Sequence, residues 1–364
     1  MRAITGIFLA LVLAPLAAPA PPAARAEETP IRGAARGVAL DLSGVADAEL
    51  RADLEAFRGS DAPFEWEMKP LKTGPGGAVE VYELTFPSPV VTPFPENNVV
   101  WCKFFPPQGV PAGARVPAVC VLHHLGGEFT IEEVLCDYLA RSGVAALYVE
   151  FPFYNQRRPK DEPRARRIFS GGDLEAFRDG ARQAVLDVRR AGDWLLSRPD
   201  VDPERLGVVG ISLGAMLGSI VGGVDPRFGR NVLIIGGGDL PSIFLHPSDE
   251  TRGIRRTLEE RGLTRADIEA LVRPIEPCRF AHRLRGKHVL MINADRDEII
   301  PRASTEALWR AMGEPEIVWF KAGHVTIAAY LMDLLRLTRD HLQQPARGGG
   351  ERAPAPGERE GRLF

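Results

Sequence analysis

After Pro117 the chain carries six short runs that are apolar almost without interruption, at residues 118–122, 144–151, 206–211, 232–235, 288–292 and 316–320, with helix-forming stretches between them. A strand with one wetted face alternates apolar and polar residues, whereas a strand that is apolar throughout has to be covered on both sides. Runs of this kind separated by helices predict an α/β architecture, a mostly parallel central sheet flanked by helices. The clearest helix spans residues 174–196, where Phe177, Ala181, Val185, Val188, Trp194 and Leu195 share one face; Asp173 offers a cap and Pro199 a stop. Upstream, residues 78–86 and 98–105 are rich in β-branched and aromatic residues between turn-forming segments. They are expected to be antiparallel strands at one edge of the sheet.

One connection is too long for a simple crossover. Residues 238–285 separate two sheet strands and hold two charged helices, one over 249–261, the other opening with the capping box formed by Thr264 and Asp267. This insertion at the carboxyl ends of the strands is read as a small lid, with a peripheral helical decoration as the alternative. The organisation expected is a leader over residues 1–26, an N-terminal segment over 27–61, one catalytic domain over 62–343 and a tail over 344–364. That tail is rich in Pro, Gly, Arg and Glu and is expected to be disordered.

Arg2, the apolar stretch 4–18 broken by Pro15, and Ala24-Arg25-Ala26 match a secretory signal peptide cut after Ala26, which implies a secreted or periplasmic protein with no stable membrane insertion after processing. The net charge of -3 in 364 residues includes no basic stripe, so no nucleic-acid partner is expected. The four cysteines, Cys102, Cys120, Cys136 and Cys278, lack metal-ligand spacing, and one disulfide with unassigned partners is compatible with an oxidising compartment. Composition says nothing about oligomeric state.

Chemistry concentrates at three strand ends. Gly210-Ile211-Ser212-Leu213-Gly214 is a G-x-S-x-G pentapeptide between an apolar strand and a run of small apolar residues that reads as a helix, the setting in which a sharp turn exposes a serine Oγ as a nucleophile. A base is offered by His324, in the loop directly after the last strand of the series, and Gly323 lets that loop bend. An acid is offered by the loop after the preceding strand, where Asp297 is preferred to Asp295 because it leaves room for a turn before Pro301. Backbone amides of Leu213, at the helix start, and of Leu125, in the turn His123-His124-Leu125-Gly126-Gly127, are the expected oxyanion donors. His124, Phe153 and Tyr154 are expected near the pocket, with Phe151, Asn155, Gln156 and Arg157 beside them. Adjacent His123 and His124 diverge and have no carboxylate or cysteine cluster, so no metal site and no cofactor is expected.

With these residues in place the chain resembles the α/β-hydrolase superfamily over roughly residues 62–341: Ser212, Asp297 and His324 stand in that superfamily's order. Residues 197–212 are similar to the dienelactone hydrolase, acetyl xylan esterase and prolyl oligopeptidase-like branches. The chain departs from the usual His-Gly oxyanion signature at His124, and from dienelactone hydrolases proper in having serine, not cysteine, as nucleophile. The resemblance implies a secreted serine hydrolase acting on a small-molecule or carbohydrate ester through an acyl-enzyme. The alternatives are a peptidase or an acyltransferase of the same fold, or a silent member that only binds; intact Ser212, Asp297 and His324 argue against the last.

Overall fold

The structure, a computed structural model, describes residues 29–71, 80–126, 128–160, 168–345 and 358–360. Residues 1–26, read as a leader, lie outside the described residues, as does Gly127. Among the described residues, no helix is long and apolar enough to cross a membrane.

The strands are β1 (Ile31–Arg36), β2 (Pro63–Leu71), β3 (Val81–Pro87), β4 (Val99–Phe105), β5 (Val116–Leu122), β6 (Ala145–Val149), β7 (Val201–Ile211), β8 (Arg230–Ile234), β9 (His288–Ala294), β10 (Glu316–Phe320) and β11 (Glu358–Glu360). They form one sheet in the order β1-β2-β3-β4-β6-β5-β7-β8-β9-β10-β11. From β6 to β11 every pairing is parallel, and from β1 through β4 to β6 every pairing is antiparallel. Every residue of β5, β6 and β8 is buried, in β5 and β6 as continuous apolar runs demand and in β8 with Arg230 and Asn231 included, whereas β1 and β2 bury few of theirs.

The helices are α1 (Ala48–Glu55), α2 (Thr130–Arg141), α3 (Leu174–Leu196), α4 (Leu213–Val224), α5 (Leu240–Leu245), α6 (Arg252–Glu260), α7 (Arg265–Val272), α8 (Pro277–Ala281), α9 (Arg302–Ala311) and α10 (Leu331–Gln343). Helix α3 starts where expected, with the Asp173 carboxylate accepting from the Ala176 amide at 3.0 Å. Its burial goes well beyond one apolar stripe. Gln183, Asp187, Arg189 and Asp193 are buried too, met by Ser88, Asn97 and Arg157 near the start of the face, by Phe57 O and Val38 O of the N-terminal segment at Arg189, and by Arg227 at Asp193. Each of these polar groups is partnered: Arg189 pairs with Asp225 at 2.9 Å and donates to Val38 O at 2.8 Å, and Asp187 pairs with Arg157 at 2.7 Å.

Three expectations change. The sheet extends beyond the two expected edge strands, since β1 and β2 lie outside them, β1 in the segment read as preceding the domain. The stretch read as a disordered tail supplies β11, which pairs in parallel with β10 through backbone groups that need no apolar side chains. All four cysteines are free, and Cys102, Cys120 and Cys136 are buried, which pushes their thiols up. The insertion read as a lid or a peripheral decoration packs on the domain: its capping box at Thr264 and Asp267 is formed, Phe244 meets Phe177 of α3 edge-on at 5.2 Å, and Phe280 meets Phe57 at 5.6 Å. Its α6 reaches the start of α3, where Thr257 Oγ1 donates to Gly171 O at 2.9 Å and Arg261 grips Glu175 with two 2.9 Å bonds.

Candidate active site

Ser212 ends β7 and opens α4 in a conformation that side chains avoid, φ 54° and ψ -114°. Such a turn is held only because the structure around it is over-determined. The two flanking glycines show how: a Cβ on Gly210 would collide with the Gly214 carbonyl, and one on Gly214 would collide with Leu122 O and lie 2.8 Å from His123 O. The elbow is therefore wedged against the end of β5. The Ser212 amide donates to Ile234 O of β8 at 2.9 Å, and its carbonyl accepts from Ala215 and Met216.

Three loops at the carboxyl edge of the sheet meet there. His324 Nε2 lies 2.9 Å from Ser212 Oγ, and His324 Nδ1 lies 2.8 and 3.0 Å from the two oxygens of Asp297. Asp297 Oδ1 also accepts from the Ile299 and Ile300 amides at 2.9 and 2.7 Å, which fixes its direction. With the carboxylate at Nδ1, Nε2 is the ring nitrogen turned to the Ser212 hydroxyl. The imidazole is nearly buried, at 9% exposure. Asp295 points away, part-exposed beside Arg296 at 3.4 Å. Glu298, the third carboxylate of that loop, takes a role not foreseen: its Oε2 accepts from the His324 amide at 2.9 Å and pins the histidine loop. Its position next to Asp297 was the available signal.

Leu213 is the first residue of α4, so its amide has no intrahelical acceptor. The turn carrying Leu125 follows β5, whose Leu122 pairs with Gly210, and so runs beside the elbow. Two histidines shape that turn. His123 is fully buried between the rings of Phe129 and Phe151, with centroids at 3.9 and 4.2 Å. Its Nε2 accepts from the Phe151 amide at 3.1 Å, so Nδ1 bears the proton and donates to His124 O at 2.7 Å. Burial brings its pKa down to about 3. His124 is part-exposed and paired through Nδ1 with Glu132 at 2.7 Å.

Tyr154 is buried against the same turn: its ring meets His123 at 4.6 Å, and burial pushes its phenol up to about 12. Phe153 is buried with φ 65°, its amide donating to Asn97 Oδ1 at 3.0 Å. Of the neighbours expected at the pocket, Phe151 and Arg157 have no exposed surface. Arg157 is instead a core cation, bonded to Glu150 O and Asn97 O at 2.9 Å as well as to Asp187. Asn155 Nδ2 and the Gln156 amide donate to Glu150, whose buried carboxyl is pushed up to about 7. Among the described residues, no group of three or more metal-ligating side chains converges.

A model of the dienelactone hydrolase family matches residues 108–329, well over half of the chain. An uncharacterized protein of Mycobacterium tuberculosis is 28% identical over 162 residues, a match that takes in 43% of this chain and only 37% of that protein. Among solved structures, the acetyl xylan esterase of Paenibacillus sp. R4 has a TM-score of 0.61 at 18% identity, over 80% of this chain and 92% of that one. Acetyl xylan esterase 1 of Thermoanaerobacterium sp. JW/SL YS485 has a TM-score of 0.59 at 18% identity, over 85% and 96% of the two chains. An acylaminoacyl peptidase of Pyrococcus horikoshii has a TM-score of 0.56 at 16% identity, over 79% of this chain and 49% of that one. At these identities the likeness is one of fold. The chain has the α/β-hydrolase fold and belongs to the dienelactone hydrolase family.

Proposed function

We propose that this protein is a serine carboxylic ester hydrolase in which Ser212 is the nucleophile. The observation that carries the reading is the continuous path from Ser212 Oγ to His324 Nε2 at 2.9 Å and from His324 Nδ1 to Asp297 at 2.8 Å. In this reading His324 takes the Ser212 proton as Oγ bonds to the ester carbonyl carbon, and Asp297 stabilises the imidazolium that results. The carbonyl oxygen takes up negative charge and is received by the Leu213 and Leu125 amides. As the intermediate collapses, His324 returns the proton to the departing alcohol. A water then repeats the sequence on the acyl-enzyme and frees the acid and Ser212. No step calls on a metal or a cofactor.

An ester is favoured over an amide because an alkoxide leaves more readily than an amine, and peptidases add extended subsites that hold the amide in register. Two of the superposable structures are named acetyl xylan esterases, and they are matched nearly end to end, whereas the acylaminoacyl peptidase is matched over about half its length. Export through the N-terminal leader, with cleavage after Ala26, is part of the same proposal and is tested by N-terminal sequencing of protein from the periplasm or medium. For the chemistry, purified mature protein is assayed on short acyl esters, sugar acetates and matched peptide amides, with Ser212→Ala as the blank. Turnover of short acyl esters that vanishes in the blank is the expected result; amides cleaved as fast as matched esters would overturn the esterase reading.

A further inference from the structure

The bend that follows β6 is built around a carboxylate that takes no part in the proposed steps. Glu150 is buried and stands directly after Val149, the last residue of β6. Its Oε2 accepts from Asn155 Nδ2 at 3.0 Å, and its Oε1 accepts from the Gln156 amide at 3.1 Å. The Gln156 side chain, in the orientation that satisfies both groups, adds its amide nitrogen at 2.9 Å from Oε2. Arg157 closes the bend by donating to the Glu150 carbonyl at 2.9 Å. The donors that converge on the two oxygens suit a carboxylate, which only accepts, and leave a protonated carboxyl with one hydrogen too many.

The backbone between these anchors is strained. Phe153 at φ 65° and Asn155 at φ 35° lie where side chains rarely go, and such residues persist only when their surroundings over-determine them. The Phe153 amide is held by Asn97 Oδ1 at 3.0 Å and its ring meets Phe94 edge-on, while the Asn155 side chain is held by Glu150.

The same bend is the wall behind the turn that carries Leu125. Its Phe151 amide donates to His123 Nε2 at 3.1 Å, and the rings of Phe151 and Tyr154 meet the imidazole at 4.2 and 4.6 Å. His123 Nδ1 in turn donates to His124 O at 2.7 Å. That carbonyl and the Leu125 N–H belong to one planar trans peptide, in which the two groups point in opposite directions, so fixing one aims the other. Contacts therefore run without a break from Glu150 through the bend and His123 to the peptide of the Leu125 amide.

Few charges face Glu150. Arg157 is the cation against it, shared with Asp187 of α3. Tyr148 of β6 and Cys102 of β4 also interact with it, and burial pushes both of them well up, so neither carries charge. Burial outweighs Arg157 and the donors at Glu150 itself and pushes its carboxyl up to about 7.

We propose that Glu150 is a positioning residue: as a carboxylate it holds the 151–157 bend and, through His123, the aim of the Leu125 amide at the oxyanion. This rests on the serine esterase reading, with Leu125 as one of its donors. Protonation of Glu150 and Glu150→Gln act alike, since each puts a donor where only acceptors stood. The test is the ratio of kcat for wild type over Glu150→Gln on one short acyl ester, followed from about pH 5.5 to about pH 8.5. His324 is present in both proteins, so its titration cancels from the ratio.

The ratio should stand near 1 at the acid end and rise to on the order of 10 at the alkaline end, with its midpoint at about 7. KM should change by no more than about threefold, because the oxyanion forms only after the ester is bound. A packing role alone moves both proteins equally at every pH, and a ratio constant to within about twofold over this range overturns the inference. Should Glu150→Gln fail to fold by circular dichroism, the ratio of wild type to Asn155→Ala, which removes one of the donors, decides by the same rise or its absence. A wild type that turns over no ester at any pH overturns the esterase reading beneath the proposal, and does so before any variant is compared.

Discussion

His324 and His123 both stand in loops at the carboxyl edge of one sheet, yet they are put to opposite uses. His324 follows β10 and faces the carboxylate of Asp297 on one side and Ser212 Oγ on the other. His123 follows β5, sits between two aromatic rings, and spends both nitrogens on backbone groups, Nδ1–H on His124 O and Nε2 on the Phe151 amide. With no carboxylate to balance a charge, burial holds it neutral. In the proposed reading, what separates the base from the strut is the partner on Nδ1, the Asp297 carboxylate for His324 and a backbone carbonyl in an apolar wall for His123.

That contrast can be broken most severely at the base. His324→Ala should cut turnover by on the order of 10⁴ to 10⁶ with folding stability little changed. Asp297→Asn should cost on the order of 10⁴ in kcat because it leaves the ring in the wrong tautomer, while Asp295→Asn should stay within several-fold of wild type. The reverse ranking of the two aspartates, read by steady-state kinetics, would break the assignment of the acid.

At the strut the loss should appear in stability. His123→Ala leaves a cavity and an unsatisfied Phe151 amide, for roughly 2 to 4 kcal/mol measured by urea unfolding. A cost below about 1 kcal/mol would mean that the ring is not packed as described.

The dependence on pH sharpens the point, because two buried groups oppose each other. His123, with its pKa brought down to about 3, favours the native state fully above pH about 6.5, and that stability is lost as pH falls toward 3. Glu150, pushed up to about 7, stays protonated in the native state while the unfolded chain ionises above about 4.5, so its contribution grows as pH falls from 7 toward 4.5. Each is worth roughly 2 kcal/mol between pH 7 and pH 5, with opposite sign. Their sum is near zero in the wild type. His123→Phe should therefore gain stability on acidification relative to wild type, and Glu150→Gln should lose it; parallel profiles in all three proteins would refute the pairing.

The smallest effect is expected at Glu298→Gln. It keeps an acceptor for the His324 amide and should lower kcat by only a few-fold, whereas Glu298→Ala should lower it further.

Much of this was legible in the residues. Helix α3 has a cap at Asp173, an apolar stripe and a stop at Pro199, so both its ends could be read. The fully buried strands β5 and β6, and the 232–234 part of β8, announced themselves as apolar runs. The relative positions of Ser212, Asp297 and His324 were legible in the same way, since each follows another apolar run, at 206–211, 288–292 and 316–320. β1 was not, because Ile31–Arg36 holds two alanines and a glycine and buries little, and its pairing with β2 rests on backbone groups that carry no side-chain signature. Nor was the burial of Arg157, whose partner Asp187 stands thirty residues away in sequence on a helix with a clear polar stripe. Glu298 was concealed in another way, in that a carboxylate accepting from a backbone amide looks, in sequence, like any exposed loop acid.

The most direct measurement of the central claim is covalent trapping. Purified protein is treated with an alkyl fluorophosphonate, digested, and the adduct located by mass spectrometry, with His324→Ala and Ser212→Ala treated in parallel. One equivalent on Ser212 in the wild type, formed far more slowly in His324→Ala and absent in Ser212→Ala, with ester turnover lost in step, is the result that a nucleophilic Ser212 activated by His324 predicts. Wild-type protein that turns over esters without labelling at Ser212, or that labels at another residue as it loses activity, would contradict it.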